Sequence, residues 1–102
     1  MGNAQNILLW VQDWFLAQCN GDWEHSYGVK IDTIDNPGWS VVIDVTGTVL
    51  DNVSMERVVK EVTESNWVNC SILDNQFRGY GGPLNLLELL EIFQAFAEGN
   101  AP

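Results

Sequence analysis

The chain has 102 residues, 46% of them hydrophobic, which is enough for one domain with a real core and too little for two. Fourteen acidic residues against four basic ones give a formal net charge of -10, which argues against direct binding to nucleic acid or to anionic membranes. The same charge favours association with a basic partner, although it also serves solubility alone.

The first predicted element is an amphipathic helix. Apolar residues recur at the three- and four-residue spacing of one helix face, which favours a helix packed against a core. Asn3 and Asn6 are alternative caps for its start, and Gly21 suits the left-handed backbone that ends a helix. The predicted apolar face consists of Ile7, Leu8, Trp10, Val11, Trp14, Phe15 and Cys19.

A strand-rich stretch follows, punctuated by turn signals. Pro37 and Gly38 carry the signature of a type II turn, which predicts a hairpin, and Gly47 indicates a bulge. The Met55–Glu64 segment also contains helix-favouring residues, but its β-branched residues and the turn signal after it favour a strand. The four predicted strands are Tyr27–Ile34, Trp39–Thr46, Met55–Glu64 and Trp67–Leu73.

Glycines dominate the Arg78–Gly82 segment, which predicts a loop. It lacks the Lys and Ser/Thr of a phosphate-binding loop, so we interpret it as a tight backbone path. A second helix closes the chain and ends at Gly99. Asn85 and Glu88 have the spacing of a capping box at its start, and Pro83 is tolerated just before it. The predicted apolar face of this helix consists of Leu86, Leu89, Leu90, Phe93, Phe96 and Ala97.

The order of these elements predicts an α+β fold in one domain, residues 1–102. Short turns imply a four-stranded antiparallel meander (α-β-β-β-β-α), with both helices on one face and the other face exposed. Its edge strands are free to pair, so we expect a monomer or weak homodimer. Strand parity directs Tyr27, Val29, Ile31, Trp39, Val41, Ile43, Val45, Val68, Cys70 and Ile72 towards the helices. It directs Lys30, Asp32, Val42, Asp44, Trp67, Asn69 and Ser71 away from them.

His25 lies beside Asp22 and Glu24, a combination that raises the question of metal binding or acid–base chemistry. The spacing matches no zinc or calcium motif, so a histidine that anchors a turn is favoured. Cys19 with His25 supports an alternative function, a small thiol enzyme of the sulfurtransferase type. Against it, Cys19 lies near a helix end, where the dipole disfavours a thiolate, and Cys70 falls in mid-strand. We therefore expect no catalytic residue, no metal and no cofactor.

The location of the protein follows from what its sequence lacks. No segment resembles a signal peptide or is long and apolar enough to span a membrane. The two cysteines fit neither a zinc site nor a disulfide-dense secreted pattern. These features predict a cytoplasmic protein with reduced thiols and no membrane contact.

The five tryptophans divide into two groups. Trp10, Trp14 and Trp39 fall at positions predicted to face the core. Trp23 and Trp67 are the better candidates for exposure, and exposed tryptophan is enriched in the hot spots of protein interfaces. A small-ligand module built on the tryptophans is a further alternative, which requires a concave aromatic pocket.

One run of the chain is unusual enough to compare with known families. Residues 14–28, WFLAQCNGDWEHSYG, resemble the signature of the immunity protein 53 family of bacterial polymorphic toxin systems. Three later segments agree in order, namely 35–39, 67–70 and 77–83, the last leading into Asn85 and Leu86. The resemblance implies a small α+β protein that binds and neutralises a toxin encoded beside it. Many toxins of such systems are nucleases, which tend to be basic.

We therefore expect a non-enzymatic immunity protein whose partner is a cognate, basic toxin. Acidic and aromatic residues in the predicted turns and on the exposed sheet face are the candidates for the contact surface. The candidate toxin-binding residues are Asp22, Trp23, Glu24, His25, Asp32, Asp35, Asp44 and Trp67.

Overall fold

The computed structural model describes residues 4–100, and this part of the chain forms an α+β fold. Along the chain, one long helix precedes the strands of the sheet and another follows them. Asn3, one predicted cap, lies outside the described residues, while Asn6 lies inside the first helix and is not its cap. Gly21, in the bend after this helix, has the left-handed φ predicted for it, 94°. The elements are α1 (Ala4–Gln18), α2 (Trp23–Ser26), β1 (Val29–Ile34), β2 (Gly38–Asp44), β3 (Val58–Thr63), β4 (Asn66–Leu73), β5 (Gln76–Gly81) and α3 (Leu86–Gly99).

The sheet is antiparallel, as predicted, but it has five strands in the order β1-β2-β5-β4-β3, so the four-stranded meander is wrong. Most of the glycine-rich segment predicted to be a loop is β5, the central strand. Its glycines serve close packing. A Cβ on Gly79 would lie 3.1 Å from the ring of Phe77, and one on Gly81 would lie 3.2 Å from the Leu89 side chain. Glycine is therefore needed at these two positions because neighbouring side chains pack directly against the backbone of the strand.

The first hairpin forms as predicted, but its turn is not type II. The Asn36–Pro37 peptide is cis, and Gly38 has no positive φ because it is already the first residue of β2. A Cβ on Gly38 would overlap the carbonyl oxygen of Gly81, so this glycine is required for the approach of β2 to β5.

The connection from β2 to β3 also differs from the prediction. Gly47 lies in a turn with a φ of 78°, not in a bulge, and the irregularity of the sheet falls between Glu61 and Thr63. The third strand begins at Val58 rather than Met55. The segment between the two strands carries the chain from β2, next to one edge of the sheet, to β3 at the opposite edge.

The core lies between the sheet and the helices. Phe93 of α3 is completely buried, and its ring makes edge contacts with those of Trp14, at 5.0 Å, and Phe77, at 5.2 Å. The predicted inward parity is confirmed, although Ile31 on the edge strand β1 remains 40% exposed. Tyr27 precedes β1 and is exposed as well. The fully or almost fully buried inward strand residues are Val41, Ile43, Val68, Cys70 and Phe77.

Candidate functional site

The sheet face away from the helices is the open face. The strand register brings the predicted open-face residues onto one side, with Lys30 opposite Val42 and Asp32 opposite Ser40. The unpredicted strand β5 runs between β2 and β4, so it also contributes to this face. Its contribution is Gln76, Arg78 and Tyr80.

Trp67 lies at one end of the open face, where β4 begins. Its indole is half-buried, and it borders two adjoining clefts that also share Thr63 and Glu64. Glu61 stands directly opposite Trp67 in the β3–β4 register. We call this site the Trp67 groove, and it is lined by Asn36, Pro37, Val59, Glu61, Val62, Thr63, Glu64, Ser65, Trp67, Val68, Asn69 and Pro83.

The backbone of Trp67 is held on both sides. Its N–H donates to Oδ1 of Asn85 at 3.2 Å, and its carbonyl accepts from the N–H of Gly82 at 3.0 Å. Asn85 is only 5% exposed, and its amide also donates to Asn66, at 3.0 Å, and to Glu88, at 2.9 Å. The buried Asn85 side chain is therefore satisfied by partners that fix the start of β4.

This network corrects the predicted capping box at the start of α3. The Asn85 side chain makes no capping hydrogen bond and instead faces β4 and Glu88. Lys60 donates to the same Glu88 carboxylate at 2.8 Å. That hydrogen bond is the main reason why the pKa of Glu88 lies below its usual value, so the carboxylate remains charged at neutral pH.

The chemistry of the Trp67 groove suits a cation on a protein surface. The face of an indole attracts ammonium and guanidinium groups, and the half-buried Trp67 lines the same cleft as Glu61 and Glu64. Glu61 and Glu64 are both exposed, so they can meet an incoming charged side chain without prior rearrangement.

Trp23, predicted to be exposed, is buried. Only 6% of its surface is accessible, and its indole N–H donates to the carbonyl of Thr46 at 2.8 Å. Its ring meets those of Trp14 and Phe15 edge-on, with centroids 6.2 and 6.0 Å away. Trp23 thus ties α2 to α1 and to the end of β2, and it offers little surface to a partner.

The neighbours of Trp23 form a separate corner at α2. Glu24 accepts from the backbone N–H groups of Asn20, at 2.9 Å, and Gly21, at 2.8 Å. Hydrogen bonds from its own backbone N–H and from these two residues lower the pKa of Glu24. Asp22 and His25 are exposed, and the backbone N–H of His25 donates to the Asp22 carbonyl at the start of α2.

The eight candidate toxin-binding residues are therefore not brought together in one place. The α2 corner precedes the start of β1, whereas the Trp67 groove lies at the opposite end of the strands. Asp35 lies in the β1–β2 turn at the Trp67 end, and Asp32 lies on the open face of β1. Asp44 binds within the fold, accepting from Gly28 N–H at 3.0 Å and from the Gln76 amide at 2.8 Å.

Among residues 4–100, no group of three or more His, Cys, Asp or Glu side chains is arranged to hold a metal ion. Within the same range, no helix is both long and apolar enough to cross a bilayer.

Both thiols lie in surroundings that disfavour the thiolate. Burial raises the pKa of Cys70 to about 12. Desolvation, with a smaller effect from the charge of Glu24, raises the pKa of Cys19, whose thiol donates to the Phe15 carbonyl at 3.3 Å. In the described part of the chain, no hydrogen bond joins Cys19 to His25.

We expect slow alkylation by iodoacetamide at neutral pH, with Cys70 modified only when the protein unfolds, because the thiolate is the reactive species. Mass spectrometry of native and urea-unfolded protein measures this, and the unfolded sample is the control. Native alkylation of Cys19 faster than that of a free cysteine would contradict this account and support a thiol enzyme.

The comparisons with known proteins give one match. The model of a family described as immunity protein 53 matches residues 8–98, which is most of the chain. No curated protein and no solved structure matches the chain significantly.

Proposed function

Because the chain belongs to the immunity protein 53 family, we propose that it binds a basic toxin and neutralises it by direct protein–protein contact. The observation that supports the choice of surface is the Trp67 groove, where a half-buried indole lies beside Glu61 and Glu64. Large aromatic side chains of this kind dominate the energy of protein interfaces.

The charge of the chain supports the choice of a basic toxin. A net charge of -10 steers a basic protein towards encounter, and this long-range attraction raises the association rate. A nuclease binds phosphate with arginine and lysine side chains, and the same groups fit between Glu61 and Glu64 over the indole of Trp67. Occupying them would block the toxin's access to nucleic acid.

The geometry favours a protein over a small molecule in this groove. The two clefts beside Trp67 are shallow and open along the sheet, whereas small-molecule sites enclose most of their ligand. Three turns contribute to their rim, at Asn36–Pro37, Thr63–Ser65 and Pro83. A broad, open site of this form suits the side chains of a second folded protein.

The decisive experiment is co-expression with the toxin encoded by the adjacent gene. We expect growth to be rescued and a complex to be recovered. The double variant Glu61→Lys/Glu64→Lys should lose both, because it replaces the groove's carboxylates with repelling charges. The matched control Asp13→Lys/Glu98→Lys makes the same change in net charge at exposed sites outside the groove, and it should protect normally. If the toxin kills cells that express the natural chain as efficiently as cells that lack it, the proposed function is refuted.

A further inference from the structure

The two edges of the sheet differ in how they are protected. The outer strand β3 has a register irregularity between Glu61 and Thr63. Irregularities of this kind discourage pairing with another chain. The other outer strand, β1, pairs with β2 over six consecutive residues with no irregularity and contains no proline. Strand β1 is therefore the edge that is open to a further strand.

The hydrogen-bond pattern shows which backbone groups of β1 are left unpaired at the edge of the sheet. The N–H of Asp44 donates to the carbonyl of Gly28 at 3.1 Å. Along an antiparallel edge strand, residues whose backbone groups bond to the neighbouring strand alternate with residues whose backbone groups are unpaired, so Lys30, Asp32 and Ile34 bond to β2. The backbone N–H and C=O groups of the residues between them point away from β2, in the plane of the sheet. These residues are Val29, Ile31 and Thr33.

We propose that β1 pairs antiparallel with β1 of a second copy of this chain, forming a twofold-symmetric dimer with a continuous ten-stranded sheet. With the axis at Ile31, this residue meets its own equivalent, and Val29 meets Thr33 of the second copy. All of these residues have outward-pointing backbone groups, so the register matches the available donors and acceptors.

The charges on β1 complement each other in the same register. Lys30 stands opposite Asp32 of the second copy, and Asp32 stands opposite its Lys30. Both pairs occupy positions without backbone hydrogen bonds, where facing side chains lie closest. Within the described residues, neither Lys30 nor Asp32 has an ion-pair partner in the isolated chain. Twofold symmetry thus lets Lys30 and Asp32 of the two copies form two ion pairs across the axis.

The helix side of β1 supports the same partner. Ile31 is 40% exposed there, beyond the reach of the helices, and the neighbouring flank of α1 exposes Leu8 by 56% and Phe15 by 38%. A cleft between α1 and β1 is lined by these two α1 residues and Val29. An axis perpendicular to the sheet sets both helix layers on the same side, so the two apolar flanks would approach each other and be covered.

The experiment is sedimentation equilibrium of the purified full chain over a range of concentrations. We expect a reversible dimer. The substitutions Lys30→Asp and Asp32→Lys should each raise its dissociation constant by at least about tenfold, because each creates two like-charge contacts. The combination Lys30→Asp/Asp32→Lys should restore dimerisation, since the pairs re-form with exchanged signs and the net charge is that of the natural chain.

Two controls separate this register from a general charge effect. Arg57→Asp makes the same charge change as Lys30→Asp outside β1, and it should leave the dimer intact. Ile31→Pro removes an outward N–H without breaking a β1–β2 hydrogen bond, and it should give a folded monomer by circular dichroism. A natural chain that stays monomeric throughout, or a double variant no better than the single ones, would overturn the proposal.

Discussion

Replacing Phe93 with alanine is expected to lower the free energy of unfolding by about 3–5 kcal/mol, the usual range for removing a buried phenylalanine. The side chain has no accessible surface. Its ring lies 5.9 Å from that of Trp10, 5.0 Å from that of Trp14 and 5.2 Å from that of Phe77. Phe93 therefore joins α3 to both α1 and β5. Its loss leaves a cavity among three elements that cannot all close it.

Urea denaturation followed by tryptophan fluorescence measures this effect. Leu84→Ala is the matched control, because Leu84 is 81% exposed and its truncation should change the free energy of unfolding by less than about 0.5 kcal/mol. We expect the loss of Phe93 to act first on α1, whose packing depends on α3 and on the aromatic contacts of Trp10 and Trp14. A change for Phe93→Ala as small as that for Leu84→Ala would contradict the packing described.

The parts of the fold that could be predicted are those with a clear local period. The helical spacing of apolar residues located α1 and α3, and strand alternation assigned Val41, Ile43 and Val68 to the core face. The central strand β5 could not be recognised in this way. Gly79 and Gly81 occupy its inward positions because Phe77, Cys70 and α3 lie so close, and that requirement becomes visible only once the layers are assembled.

The candidate site shows the same division. Parity alone placed Trp67 on the open face, since the alternation along β4 is regular. It could not predict the burial of Trp23, which depends on Thr46, a residue distant in sequence. The Trp67 groove was likewise invisible in the sequence, because its rim combines three turns. The signal that was available is the position of Asn85, a polar residue at the start of an apolar helix, which proved to hold β4.

Replacing Trp67 with alanine is expected to raise the dissociation constant of the proposed toxin complex by about 30-fold or more, in keeping with a hot-spot loss of about 2 kcal/mol. The fold should survive, because Asn85 and Gly82 hold Trp67 through its backbone N–H and C=O, which the substitution retains. Circular dichroism checks this, and isothermal titration calorimetry measures the affinity. Trp67→Phe keeps an aromatic face and should retain most of the binding.

By contrast, Glu64→Gln should mainly slow association, since an exposed charge acts on encounter. Equal affinities for the natural chain and Trp67→Ala would move the contact surface away from the groove, and the exposed Asp22 and His25 at the α2 corner would be the next residues to test.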